Sequence, residues 1–264
     1  QALILDGPVN KKMRLVLFFY NNLNNIIGKL AGLATYSYHL PLAKDHNLSM
    51  GLSLGFSRTK IYFDRLEAED PFDQVILNNF DNSTGLDGNF GISYTYKALR
   101  IGASALQLFQ NQVDFSNDAG DRSISYKLLR HYIISAQYSY LLKNGNVRLD
   151  PIVLLKSAQG LPVQLDVNLM ATYRKNYWAG VTYKMNSGVG FSLGGFIYDR
   201  ITAGYSYEFA TTEYGSYNNG SHEVILGFTF SRASSPSSAA RSSSDYSELA
   251  RQNQEQYELI DQIG

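Results

Sequence analysis

A chain of 264 residues with 23 basic and 23 acidic side chains, no formal net charge and no cysteine lacks the Lys/Arg surplus that nucleic-acid recognition needs. It equally lacks the thiolates of disulfides, zinc ribbons, iron–sulfur clusters and thiol catalysis. Its zero net charge, 20 Tyr and 14 Phe exclude disorder of the whole chain, and no apolar run approaches the roughly 20 residues of a spanning helix. Membrane β-strands of about 9 to 11 residues escape that last test, because only one face of each is apolar.

The chain opens at Gln1 with neither a charged n-region nor an apolar h-region, as a mature or truncated segment does. Residues 2–5 have the pattern of the end of a strand descending to a short turn at 7–10. Twelve strands are then expected at 13–20, 30–42, 48–62, 86–96, 99–109, 132–142, 147–156, 163–173, 177–185, 189–198, 201–209 and 222–230. The alternation is clearest where Leu48, Met50, Leu52, Leu54 and Phe56 interleave with Ser49, Gly51, Ser53, Gly55 and Ser57. It recurs where Val163, Leu165, Val167, Leu169 and Tyr173 interleave with Gln164, Asp166, Asn168 and Thr172, and where Tyr205, Tyr207 and Phe209 interleave with Gly204, Ser206 and Glu208. A soluble sandwich would turn the apolar faces into a core; a membrane barrel turns them to lipid.

The connections favour the barrel. Short joints at 7–10, 43–47, 97–98, 143–146, 174–176 and 199–200 alternate with longer ones, and the three conspicuous ones, 64–85, 110–131 and 210–221, fall on the opposite edge. Outer-membrane barrels pair short periplasmic turns with long extracellular loops. The expected fold is therefore all-β, a transmembrane antiparallel up-and-down β-barrel of about 14 strands. The even strand number of bacterial barrels implies that its first strand lies upstream of Gln1. Tyr38, Tyr96, Tyr140, Tyr173, Tyr177 and Phe230 would girdle the periplasmic rim at headgroup level.

The expected organisation is a barrel at 1–231, a Ser/Ala-rich flexible linker at 232–244 and a short periplasmic helix or tail at 245–264. In the tail Tyr246, Leu249, Tyr257 and Ile260 fall near one stripe, which suits either a docking helix for a periplasmic partner or a frayed solubilising end. Alternation assigns Arg14, Asp87, Asn89, Arg100, Gln164, Asp166, Asn168, Lys184, Glu208 and Glu223 to the lumen, a polar wall of both charge signs. Such a wall suits a plug or peptide more than selective ion flow. Tyr62, Phe63, Phe72, Phe80, Phe115, Tyr214 and Tyr217 on the long loops are the candidate partner-binding anchors.

No catalytic, cofactor or metal site is expected. His39, His46, His131 and His222 are separated by whole hairpins, without ligand spacing or a triad legible in sequence. The acidic stretch at Glu67, Glu69, Asp70 and Asp73 lacks the spacing of a calcium loop.

Several blocks in order carry a family resemblance. They are Tyr36-Ser37-Tyr38-His39-Leu40-Pro41-Leu42 with Asp45-His46-Asn47-Leu48-Ser49-Met50-Gly51-Leu52, Asp87-Gly88-Asn89-Phe90-Gly91-Ile92, and Arg130-His131-Tyr132. Further along come Leu149-Asp150-Pro151 with Leu155-Lys156, Trp178-Ala179-Gly180-Val181-Thr182-Tyr183, Gly204-Tyr205-Ser206-Tyr207 and Gly220-Ser221-His222-Glu223-Val224. Together they resemble the PorP/SprF family of type IX secretion membrane proteins. The resemblance implies a non-enzymatic outer-membrane barrel that contacts the periplasmic secretion and gliding machinery. It would either belong to the core apparatus or pair with a large secreted adhesin or similar cargo, which it helps export or anchor. The Ser-rich tail departs from the short family ending, so no tail function is carried over. A passive outer-membrane pore or small-molecule transporter is the alternative.

Overall fold

The computed structural model describes residues 1–24, 27–62, 82–110, 112–116, 123–142, 145–197, 200–211 and 220–230. The strands run β1 (Ala2–Pro8), β2 (Met13–Asn24), β3 (Ile27–Ala43), β4 (His46–Ile61), β5 (Asn82–Tyr96), β6 (Leu99–Leu106), β7 (Gln112–Ser116) and β8 (Ser123–Lys127). They continue as β9 (His131–Tyr138), β10 (Tyr140–Leu141), β11 (Val147–Ala158), β12 (Gln164–Tyr173), β13 (Tyr177–Lys184), β14 (Gly188–Ile197), β15 (Ile201–Ala210) and β16 (Ser221–Phe228). Fourteen of them make one antiparallel up-and-down sheet in the order β1-β2-β3-β4-β5-β6-β9-β11-β12-β13-β14-β15-β16, with β10 pairing β11. The expected all-β, antiparallel up-and-down architecture is the one observed; its fourteen strands include the two-residue β10, which pairs with β11 as β9 does, where the expected fourteen included a strand upstream of Gln1.

Two compact units divide the chain, Gln1–Tyr138 with Ile152–Asp166, and Ser139–Pro151 with Val167–Gly264. Within the first, Leu52, Leu54, Phe56, Phe90 and Ile92 are exposed while the intervening positions are less so. Within the second, Leu169, Phe191, Leu193, Tyr205 and Leu226 are exposed while Asp150, Asn168, Thr182 and Lys184 are buried. Water-soluble proteins arrange these residue types the other way round.

The turns follow local stereochemistry. Arg174 and Lys175 both have left-handed backbones (φ +47° and +61°), and Asn176 N–H donates to Tyr173 C=O at 3.1 Å. That is the two-residue hairpin turn whose twist matches its flanking strands.

Three expectations need correction. The strand expected at 99–109 ends at Leu106, because Gln107 is left-handed (φ +54°) and its N–H leaves the ladder for the Asn89 side chain at 3.0 Å. The joint expected at 110–131 is not all loop: β7 and β8 pair there as a separate two-stranded sheet, Phe115 opposite Ile124. Phe230 lies beyond the last strand, which ends at Phe228; its ring packs edge-on against Phe228 at 5.0 Å.

Candidate functional site

The buried face of the strands carries the chemistry. In the first unit β11 and β12 bring Lys156 Nζ to 2.6 Å from Asp166 Oδ2, and β1 and β2 bring Asp6 Oδ2 to 3.6 Å from Arg14 Nη1. Asn89 accepts the Gln107 N–H, and the Asp87 carboxylate accepts the Gly88 N–H at 2.7 Å. Thr35 and Ser53 share a hydroxyl hydrogen bond of 2.8 Å across β3 and β4. The Lys156–Asp166, Asp6–Arg14 and Thr35–Ser53 pairings follow from strand parity, since same-face residues on neighbouring strands sit within side-chain reach.

The second unit's face is smaller and more polar. Arg148 Nε lies 2.7 Å from Asp150 Oδ2, and Ser139 donates to the other Asp150 oxygen at 2.6 Å. That bond accompanies the one-residue break between β9 and β10. Asn168 Nδ2 donates to Thr182 Oγ1, and Ser206 Oγ donates to Glu223 at 3.3 Å. Lys184 on β13 reaches Glu208 on β15 at 2.6 Å. The strand between them offers no obstacle: Lys184 pairs with Gly188 and Glu208 with Gly190, so two missing side chains on β14 leave the crossing open. Farther along the same strands Trp178 pairs with Gly194, which pairs with Gly204. A Cβ on Gly194 would stand 2.2 Å from the indole Cζ2, so the indole is accommodated only over glycine.

All ten residues assigned to the lumen lie on the less exposed face. Asp87, Asn89, Asp166, Asn168 and Lys184 are buried, and Arg14, Arg100, Gln164, Glu208 and Glu223 are half-buried. Within the first unit Arg14 is paired with Asp6 and Asp166 with Lys156; within the second Asn168 is paired with Thr182, Lys184 with Glu208 and Glu223 with Ser206. Parity reasoning missed Arg148, Asp150 and Lys156 on β11. Their even spacing was the available signal, masked because Ile152 and Leu154 share that face and Val153 and Leu155 make the segment apolar on both sides.

The less exposed face also carries apolar side chains. Leu106, Ile133, Ile152 and Leu154 form a buried apolar cluster in the first unit, and Val16, Phe18 and Tyr20 of β2 are buried there too.

Of the loop anchors, Tyr62 packs over Gly28 and beneath Lys60, whose Nζ is 5.0 Å from the ring centroid. Only the backbone of Phe115, in β7, is described. Phe63, Phe72, Phe80, Tyr214 and Tyr217, the tail residues Tyr246, Leu249, Tyr257 and Ile260, and the acidic stretch at 67–73 lie outside the described residues. Three histidines are engaged by neighbours: His39 with Ser49 at 2.8 Å, His46 with Tyr94, and His222 with Tyr205 at 2.7 Å. Among the described residues no group of three His, Cys, Asp or Glu is placed to hold a metal ion.

What the arrangement can do chemically is limited and specific. Lys156 and Lys184 are each neutralised by a carboxylate, Asp87 is hydrogen-bonded by a backbone N–H, the amide oxygens of Gln107 and Asn168 are buried without a partner among the described residues, and the opposite face is apolar. Comparison with curated proteins finds no match. The family model for the type IX secretion system membrane protein PorP/SprF matches residues 1–228, taking in the whole sheet from β1 to β16. The chain belongs to the PorP/SprF family of type IX secretion system membrane proteins.

Proposed function

We propose that the chain is an outer-membrane β-barrel that binds a large secreted adhesin or similar cargo and helps export or anchor it at the cell surface. The exposed apolar faces contact lipid, the buried polar faces line the lumen, the short turns and tail face the periplasm, and the chain contacts the secretion and gliding machinery from that side. Residues 1–231 form the barrel, 232–244 a flexible linker and 245–264 the periplasmic tail. Binding and positioning, with no catalytic step, make up the activity.

One observation carries the choice of a polypeptide partner over a solute. Charges on the less exposed face are paired with opposite charges on neighbouring strands, Asp166 with Lys156 and Lys184 with Glu208. Ion selection relies on rings of like charge, and these pairs supply none. The Gly/Ser/Thr face of β13 to β15 suits the main-chain amides of a polypeptide. Anchoring is assigned to the long loops, with Tyr62, Phe63, Phe72, Phe80, Phe115, Tyr214 and Tyr217 as contacts.

Affinity purification from native outer membranes, followed by planar-bilayer recording of the purified chain, tests this reading. Co-purification of a secreted polypeptide much larger than 264 residues, with no steady conductance while it is bound, is expected. A stable open current with no co-purifying polypeptide would establish the pore instead.

A further inference from the structure

The short turns of the first unit carry Lys11 and Lys12 between β1 and β2, Lys44 and Asp45 between β3 and β4, and Lys97 between β5 and β6. All five are exposed, and none takes part in the ion pairs of the described residues. Backbone hydrogen bonds tie the turns to their neighbours: His39 N–H donates to Lys12 C=O at 2.7 Å, and Lys97 N–H to Asp45 C=O at 3.2 Å.

Beside these turns the exposed face is aromatic. His46 stacks on Tyr96 with centroids 4.4 Å apart and is hydrogen-bonded to the Tyr94 hydroxyl. Lys97 Nζ lies over the other partner of this stack, 5.2 Å from the Tyr96 centroid. The ammonium is thus folded back onto the apolar face instead of projecting from the turn. Within the second unit the same device recurs independently, the Arg174 guanidinium lying 5.2 Å from the centroid of exposed Tyr173. Charge on the other edge has the opposite sign: the connection at 63–81 holds Asp64, Glu67, Glu69, Asp70, Asp73 and Asp81 against Arg65 alone.

A cation held beside a tyrosine on an apolar face meets the conditions of the headgroup layer, where the ring is half immersed and a phosphate is within reach. An acidic protein surface would touch the turn tips and leave the tyrosine-backed positions aside. We propose that the short-turn edge binds the phosphates of anionic phospholipids, with Lys11, Lys12, Lys44 and Lys97 supplying charge and Tyr94 and Tyr96 the headgroup-level contact. The proposal rests on the outer-membrane barrel reading above.

Spin-labelled phosphatidylglycerol and phosphatidylcholine, each as tracer in phosphatidylcholine vesicles holding the full chain, provide the test. The fraction of each tracer immobilised by the protein is measured. The expected preference for phosphatidylglycerol is about threefold at low salt, falling toward unity at 1 M NaCl as screening shortens to about 3 Å. Substituting K11Q, K12Q, K44Q and K97Q together is expected to remove at least half of it, and the salt dependence of the unaltered chain gives the same answer without any variant. Equal immobilisation of both tracers overturns the proposal, as does a preference that survives the four substitutions. Loss of the preference to inorganic phosphate at constant ionic strength also overturns it, reassigning the strip to a free anion. Immobilisation of neither tracer would remove the membrane reading itself.

Discussion

Lys156 Nζ and Asp166 Oδ2 lie 2.6 Å apart with both side chains withdrawn from solvent. Neither charge would be tolerable there alone, since an uncompensated buried ion costs several kcal/mol. Lys156→Met therefore strands the carboxylate, and Asp166→Leu strands the ammonium. Each is expected to destabilise the folded chain by about 3 kcal/mol in urea titrations, and the double substitution by much less than the sum. Additive losses would show that the two groups do not depend on each other.

A second prediction concerns Trp178 and Gly194. A Cβ at position 194 would meet the indole at 2.2 Å and the Ala203 carbonyl oxygen at 2.7 Å. The indole can swing away but the backbone cannot. Gly194→Ala is expected to cost about 1–3 kcal/mol and to shift tryptophan emission, for which Trp178 is the sole source. An unchanged spectrum and midpoint would contradict the cradle.

Neighbouring positions on β14 separate the two faces energetically. Leu193 is exposed, whereas Ser192 sits in a row with Gly180 and Ser206 on the less exposed face. Leu193→Arg is expected to lower stability in bilayers by about 2–4 kcal/mol. Ser192→Arg, which meets polar and small neighbours, is expected to lower it by less than about 1 kcal/mol. Equal costs would mean that lipid does not touch Leu193.

The strand frame was legible because period-two alternation and turn chemistry are local. Segments such as 48–57 and 163–173 announce their faces, and the turn at 174–176 has a length that nearly dictates its geometry. Legibility failed where packing at a distance overrides the local pattern. The stop of β6 depends on Asn89, 18 residues before Gln107, capturing the Gln107 N–H. The apolar cluster around Leu154 hides within β11, whose two faces are both rich in aliphatic side chains. Alternation likewise placed all ten lumen-assigned residues on the less exposed face, yet it could not name their partners. Register decides those, as when Lys184 reaches Glu208 past Gly188 and Gly190.

The orientation of the two faces can be measured residue by residue, because a chain without cysteine accepts one labelled thiol at a time. Single cysteines at positions 52, 53, 54, 56 and 57 of β4, carrying an environment-sensitive fluorophore, are quenched in reconstituted vesicles by bromine on lipid tails or by aqueous iodide. Labels replacing Leu52, Leu54 and Phe56 are expected to respond to the lipid quencher, and those replacing Ser53 and Ser57 to iodide. Quenching by iodide alone at all positions, or the reverse alternation, would contradict the account.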